Sequence, residues 1–260
     1  IQRVAQRYLR PDNCTAVCRH PDDRDVTRNS LTSAAHSAFE EAEAEAAATP
    51  AAIQTDEDQI ARVDVPDGPE VIVQVDPSVE TFSIRALALG GLRYESPANA
   101  GVSSLLSQLI TRGTARRSAI DIAREIESMA GSVSGISGRN TSGLTVNGLA
   151  RNFAQSFDIA ADCLRASTIP PEEFDREQQH LIESIRSRRD DLSSVNSDRF
   201  REALFGDHPY ARPGSGYLDT VESLTPEDIR AFRDAYLRPD DMVLSVVGDV
   251  HFDGPISVDD

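Results

Sequence analysis

The sequence predicts an α+β protein: a mixed, mostly antiparallel sheet of about five to six strands backed by helices. Three observations predict it. Apolar and polar residues alternate with period two between Arg62 and Leu89, and a hairpin pattern spans Ser132 to Ala150. Helical periodicity then dominates until an apolar run, Met242 to Gly248, brings the chain back to the sheet.

The elements follow in order. Arg62 to Val65 is a strand, closed by a Pro-Asp-Gly-Pro turn, and Val71 to Val75 is a second. In Thr81 to Leu89 the alternation of Phe82, Ile84, Ala86 and Ala88 predicts a third strand with one buried face. A helix is expected from about Pro97 to Thr111. The next opens at Ser118, whose hydroxyl and Asp121 form a capping box, with Ile122, Ile126 and Met129 on one face and Gly131 as its stop. Ser132 to Ser137 and Thr141 to Ala150 pair around Gly138, Arg139 and Asn140, although Gly135, Gly143 and Gly148 weaken both strands. Helices cover residues 152–167, 171–190 and 194–205, and a last one begins at Thr225-Pro226-Glu227-Asp228, with a staple from Leu224 to Ile229.

An internal repeat sets the domain plan. Ile1 to Asp12 (IQRVAQRYLRPD) and Ile229 to Asp240 (IRAFRDAYLRPD) each read as a helix end with a Pro-Asp stop before an apolar strand. Residues 1–21 are therefore expected to close a preceding module. Residues 22–61, with FEEAEAEAAATPAA and Thr55-Asp56-Glu57-Asp58, are an acidic linker without an apolar stripe, and residues 62–260 form a module of domain size.

The chain has 260 residues and a net charge of −17, from 43 acidic residues against 26 basic ones, all of them arginine. That balance argues against a polyanion-binding surface, and fits either a GC-rich genome or a salt-adapted surface. Three cysteines, Cys14, Cys18 and Cys163, cannot build a disulfide framework, and no apolar run approaches the roughly 18 residues of a membrane span. Periplasmic and cytoplasmic placement both fit.

The isolated candidates for chemistry are weak. Cys14, Cys18 and His20 share one strand face, but ligands on one extended strand rarely converge on a metal. His180, His208 and His251 stand alone, in a helix, a turn and after a strand. Gly131-Ser132-Val133-Ser134-Gly135 lies in a helix-to-hairpin connection, not a nucleophile elbow, and no phosphate-binding loop or dinucleotide fingerprint occurs.

Five ordered blocks carry a resemblance. Gly90-Gly91-Leu92-Arg93-Tyr94-Glu95-Ser96-Pro97, Asn99-Ala100-Gly101-Val102, Thr111-Arg112-Gly113-Thr114, Phe205 to Pro213 with Gly216, and Val246-Val247-Gly248-Asp249-Val250 resemble the insulinase, pitrilysin and mitochondrial processing peptidase family. The resemblance implies a processing-peptidase-like module. It also implies an inverted zinc motif, His-x-x-Glu-His, in the helix before Gly113-Thr114, with a second glutamate in a later helix as third ligand. Two imidazoles one turn apart hold Zn²⁺, and the neighbouring carboxylate deprotonates the metal-bound water.

Laid on those blocks, the motif positions fall on Ser104, Ser107 and Gln108, and the third ligand on Ser184, with Glu177 at the earlier glutamate position. Hydroxyls and an amide are poor zinc ligands, so the expected site is degenerate, with no catalytic residue, metal or cofactor of its own. The resemblance then implies a catalytic half, on the same chain or a homologous subunit, that holds the zinc of a metalloendopeptidase. This half would help enclose a peptide substrate. The alternative is a structural or assembly subunit resembling the processing-peptidase-like core proteins, without proteolytic function. Arg139 and Asn140 in the hairpin, Glu177, and the strand Thr81 to Leu89 are the candidate peptide contacts. Arg139 and Glu177 read equally as ordinary salt-bridging groups.

Overall fold

The computed structural model describes residues 60–65 and 68–250, and these fall within one compact unit. The expected preceding module, most of the linker, Cys14, Cys18, His20 and His251 lie outside the described residues.

Six strands form one mixed sheet: β1 (Ile60–Asp64), β2 (Glu70–Val75), β3 (Thr81–Leu89), β4 (Ser132–Ser137), β5 (Thr141–Leu149) and β6 (Met242–Gly248). Their spatial order is β1-β2-β6-β3-β5-β4. Only β2 and β6 run parallel; the other neighbours are antiparallel. The register aligns Val73, Val246, Ile84, Val146 and Val133 as one rung across five strands, and the first four are at most 1% exposed. Period-two burial of Phe82, Ile84, Ala86 and Ala88 puts one face of β3 in the core, while Ser83, Arg85, Leu87 and Leu89 on the other are half-buried or exposed.

Among the described residues seven α-helices accompany the sheet: α1 (Val102–Leu109), α2 (Ala119–Ser128), α3 (Phe153–Ala166), α4 (Pro171–Arg188), α5 (Leu192–Phe205), α6 (Leu218–Ser223) and α7 (Pro226–Tyr236). The expected capping box opens α2 at Ser118, and the helix start expected at Thr225 opens α7 with a capping box to Asp228 as well. α1 buries Val102, Leu105, Leu106 and Leu109, and packs against β4, α4 and α7. α5 buries none of its side chains and leaves Leu192, Phe200 and Leu204 exposed.

The structure departs from the sequence reading at several element ends and in one added helix. β1 starts at Ile60 instead of Arg62. The helix expected from Pro97 is a 3-10 turn, Pro97–Asn99, followed by α1. Gly101 breaks it at φ +101°, where a Cβ would stand 2.8 Å from the carbonyl oxygen of Ser215. The six residues of α6 went unpredicted because so short a segment carries too little periodicity.

Candidate functional site

The helix that bears the motif positions is fixed at its start by a buried carboxylate. Glu95 Oε2 accepts from the Gly101 amide at 3.0 Å, and Oε1 accepts from the Ser103 amide at 3.0 Å and its hydroxyl at 2.5 Å. An anion there satisfies amides that the first turn leaves without partners. Burial pushes the Glu95 carboxyl above its usual value, against the lowering effect of those hydrogen bonds and of Arg212.

β4 then seats the helix. At Gly135 a Cβ would come within 2.0 Å of the Ser107 carbonyl oxygen, so only glycine lets the two backbones meet. Beyond α1, Thr114 Oγ1 donates to Asp162 Oδ2 at 2.6 Å, and Arg116 and Arg117 both bind Asp162 and Asp158. This knot ties the turn after α1 to α3. The hydrogen bonds of Arg117 and Arg116 hold the Asp158 carboxyl below its usual value. Burial opposes the same shift at Asp162, but bonds from Thr114, Arg116 and Arg117 outweigh it.

Between α1, β4 and the segment after α5 lies a cleft of about 590 Å³. Ser104 and Ser107 line it, together with Gly135 and Ser137 of β4 and Arg139. The structure therefore gathers two motif positions and one candidate contact residue. Gln108 and Ser184 are not among the lining residues; Gln108 is half-buried and Ser184 exposed. Asn140 stands beside the cleft, its Oδ1 accepting from the Tyr210 hydroxyl at 2.6 Å. Glu177 lies elsewhere. It is 3% exposed and ion-paired with Arg112 at 2.9 Å, although the guanidinium N–H is not aligned for a hydrogen bond. β3 is hydrogen-bonded to β5 and β6 along both edges, which leaves it no open edge for a peptide. β4 ends the sheet and is paired on one side only among the described residues.

Four arginines in the cleft wall were not legible as a group. Arg139, Arg188, Arg201 and Arg212 come from the β4–β5 turn, α4, α5 and the loop after Tyr210, so no spacing joins them. Of the remaining histidines, His180 is exposed with Nδ1 3.6 Å from Glu177, and His208 Nδ1 accepts from the Tyr210 amide to cap a turn.

The lining offers hydroxyls, backbone amides and guanidinium groups. It can bind an oxyanion, but it pairs no nucleophile with a base. Neither does it suit zinc, whose hydrolytic sites use imidazole, thiolate or carboxylate. Among the described residues, no three of His, Cys, Asp or Glu cluster to hold a metal.

Comparison with known proteins identifies the architecture. A zinc protease of Streptomyces coelicolor, itself uncharacterized, is 30% identical over 191 residues, covering 74% of this chain and 42% of the relative. The peptidase M16 inactive domain from Pseudomonas fluorescens matches with a TM-score of 0.69 at 18% identity, over 74% of this chain and 47% of that one. The first half of a periplasmic protease from Escherichia coli matches at 0.66 and 19%, over 74% and 43%. The chain thus spans less than half the length of these relatives. No helix among the described residues is long and apolar enough to cross a membrane. Residues 70–216 match the family described as "Insulinase (Peptidase family M16)", and with the shared fold this establishes that the chain belongs to the insulinase family of peptidases.

Proposed function

We propose that this chain is a non-catalytic half of an insulinase-family zinc metallopeptidase: it helps enclose a peptide, while zinc and proteolysis reside in the other half. One observation carries the reading. The face of α1 that should present His-x-x-Glu-His presents Ser104 and Ser107 to the cleft, with Gln108 beside them, and none of these side chains binds Zn²⁺ usefully or takes a proton from water. The structural neighbour from Pseudomonas fluorescens, described as an inactive domain, supports it.

In this reading Glu95 and Gly135 keep the motif helix in place although its chemistry is gone, because the helix still forms a wall of the chamber. The partner is a homologous half with an intact motif, on the same polypeptide or a separate subunit. The test is hydrolysis of a quenched fluorescent peptide by the 260-residue chain alone, by the motif-bearing half alone, and by both together. Activity only in the combination supports the proposal. Activity of this chain alone would overturn it, and no activity in any combination would favour the assembly-subunit alternative.

A further inference from the structure

The charge of the cleft runs against that of the chain. The protein carries −17 overall, yet four arginines and, among the described residues, no carboxylate line this cavity. Their partners offset only part of that charge: the buried Glu95 carboxyl interacts with Arg212 from behind the wall, and Asp198 serves two of the others. Arg188 and Arg201 share one carboxylate, Asp198, with Arg188 at 3.1 Å. Arg139 has no ion pair among the described residues; its guanidinium lies 5.4 Å from the centre of the Tyr210 ring. Arg212 donates through Nη2 to the Glu95 carbonyl oxygen at 2.9 Å, while its buried Nη1 has no hydrogen-bond partner.

Guanidinium groups are donors only, and their planar fork matches carboxylate oxygens. Several converging on one cavity, in a protein that repels anions elsewhere, make a local sink for negative charge. The space exists because the wall residues between them are small: Ser104, Ser107, Gly135 and Gly214. Beside it runs β4, whose outer edge has no strand partner among the described residues and offers main-chain groups to an extended chain. An inorganic anion would use the guanidinium groups but not that edge.

We propose that the cleft is a carboxylate-binding subsite for an extended peptide, with Arg139, Arg188, Arg201 and Arg212 receiving an acidic side chain or a C-terminal carboxylate. This rests on the reading of the chain as a peptide-holding half and gives that half a preference. Ser104 and Ser107 lie within the same wall; the Ser107 hydroxyl donates to the Ser104 carbonyl oxygen at 2.7 Å, so these two positions give the carboxylate room while the guanidinium groups bind it.

The test is calorimetric titration of the 260-residue chain at low salt with octapeptides of alanine and leucine. One peptide is acetylated, amidated and carries a central glutamate. A second has glutamine there. A third has glutamine and a free C-terminal carboxylate. Inorganic phosphate is titrated separately. The glutamate or the free-carboxylate peptide should bind at least about tenfold more tightly than the neutral one, and added salt should weaken it; whichever of the two gains names the source of the carboxylate. Arg139→Gln, at an exposed side chain, should remove much of that advantage. Arg188→Gln, which leaves Asp198 paired with Arg201, should do the same.

Equal binding of all three peptides would overturn the carboxylate subsite and leave the peptide-holding reading standing. Binding of phosphate alone would overturn it in favour of a small-anion site. If nothing binds, both the subsite and peptide holding by this half fail.

Discussion

A single methyl group at Gly135 tests how the motif helix is seated. In Gly135→Ala the new Cβ would lie 2.0 Å from the carbonyl oxygen of Ser107 and 2.7 Å from its carbonyl carbon and Cα. All three are backbone atoms, so relief requires α1 and β4 to separate by about 1 Å, which a close-packed interior resists. A gap of that size forfeits about a quarter to a half of the dispersion attraction across the contact. On α1 that contact adjoins the face that buries Val102, Leu105, Leu106 and Leu109.

Overpacking of this kind costs about 1–3 kcal/mol, and the rigid neighbour puts this case at the upper end. Lower backbone entropy in the unfolded alanine variant returns about 0.4–1 kcal/mol. The net loss is about 2 kcal/mol, equivalent to a Tm lower by about 4–8 °C for a unit of this size. Thermal and urea unfolding followed by circular dichroism read it directly. Gly214→Ala is the control, since its Cβ meets nothing within 4 Å, and its stability should stay within about 0.5 kcal/mol of the parent. A Gly135→Ala variant as stable as the parent would refute the seating of α1 on β4.

Three further outcomes are expected. Leu106→Ala, at a side chain 1% exposed, should cost about 2–5 kcal/mol, whereas Ser184→Ala on the exposed face of α4 should stay within about 0.5 kcal/mol; comparable losses would contradict their placement. Because Asp158 and Asp162 have lowered folded-state values, the stability they contribute is complete above the unfolded aspartate value near about 3.9 and is lost as pH falls below it through those lowered values. Tm measured from pH 6 downward should therefore fall more steeply for the parent than for D158N/D162N, and parallel curves would count against the Arg116–Arg117 knot. Burial pushes the Cys163 thiol up to about 12, with Asp162 adding to the rise, so maleimide at pH 7.5 should leave Cys163 unmodified in the native protein and label it in urea. Rapid native labelling at Cys163, mapped by peptide mass spectrometry, would show it to be accessible.

The sheet and its helices were largely legible because their signals are local. Phe82, Ile84, Ala86 and Ala88 announce a half-buried strand by alternation alone, and the pairs Ser118 with Asp121 and Thr225 with Asp228 announce helix starts by side-chain chemistry. The break at Gly101 was hidden because Pro97 also suits a first helical turn, and what excludes a continuous helix is a remote contact, the Ser215 carbonyl. Likewise, pairing of β2 with β6 joins segments that no short window spans.

The site divides in the same way. Ser104 and Ser107 could be placed by their distance from Gly101 and Gly113, which surround them on one stretch of chain. Glu177 could be placed at the earlier glutamate position of the later helix, and as either a peptide contact or a salt-bridging group; which partner it takes, Arg112 from the turn after α1, is set by packing that no local pattern encodes. The arginine wall was out of reach for the converse reason: its four members meet only after the β4–β5 turn, α4, α5 and the loop beyond it have folded together.

The most direct test of the central claim is the zinc content of the purified 260-residue chain, measured by inductively coupled plasma mass spectrometry after dialysis against micromolar zinc. The account predicts far less than one equivalent in this chain and about one equivalent in an assembly that includes the half with the intact motif. One equivalent in the isolated chain, lost in a Ser104→Ala/Gln108→Ala variant that stays folded, would contradict the reading of α1 as a helix that has lost its metal-binding chemistry.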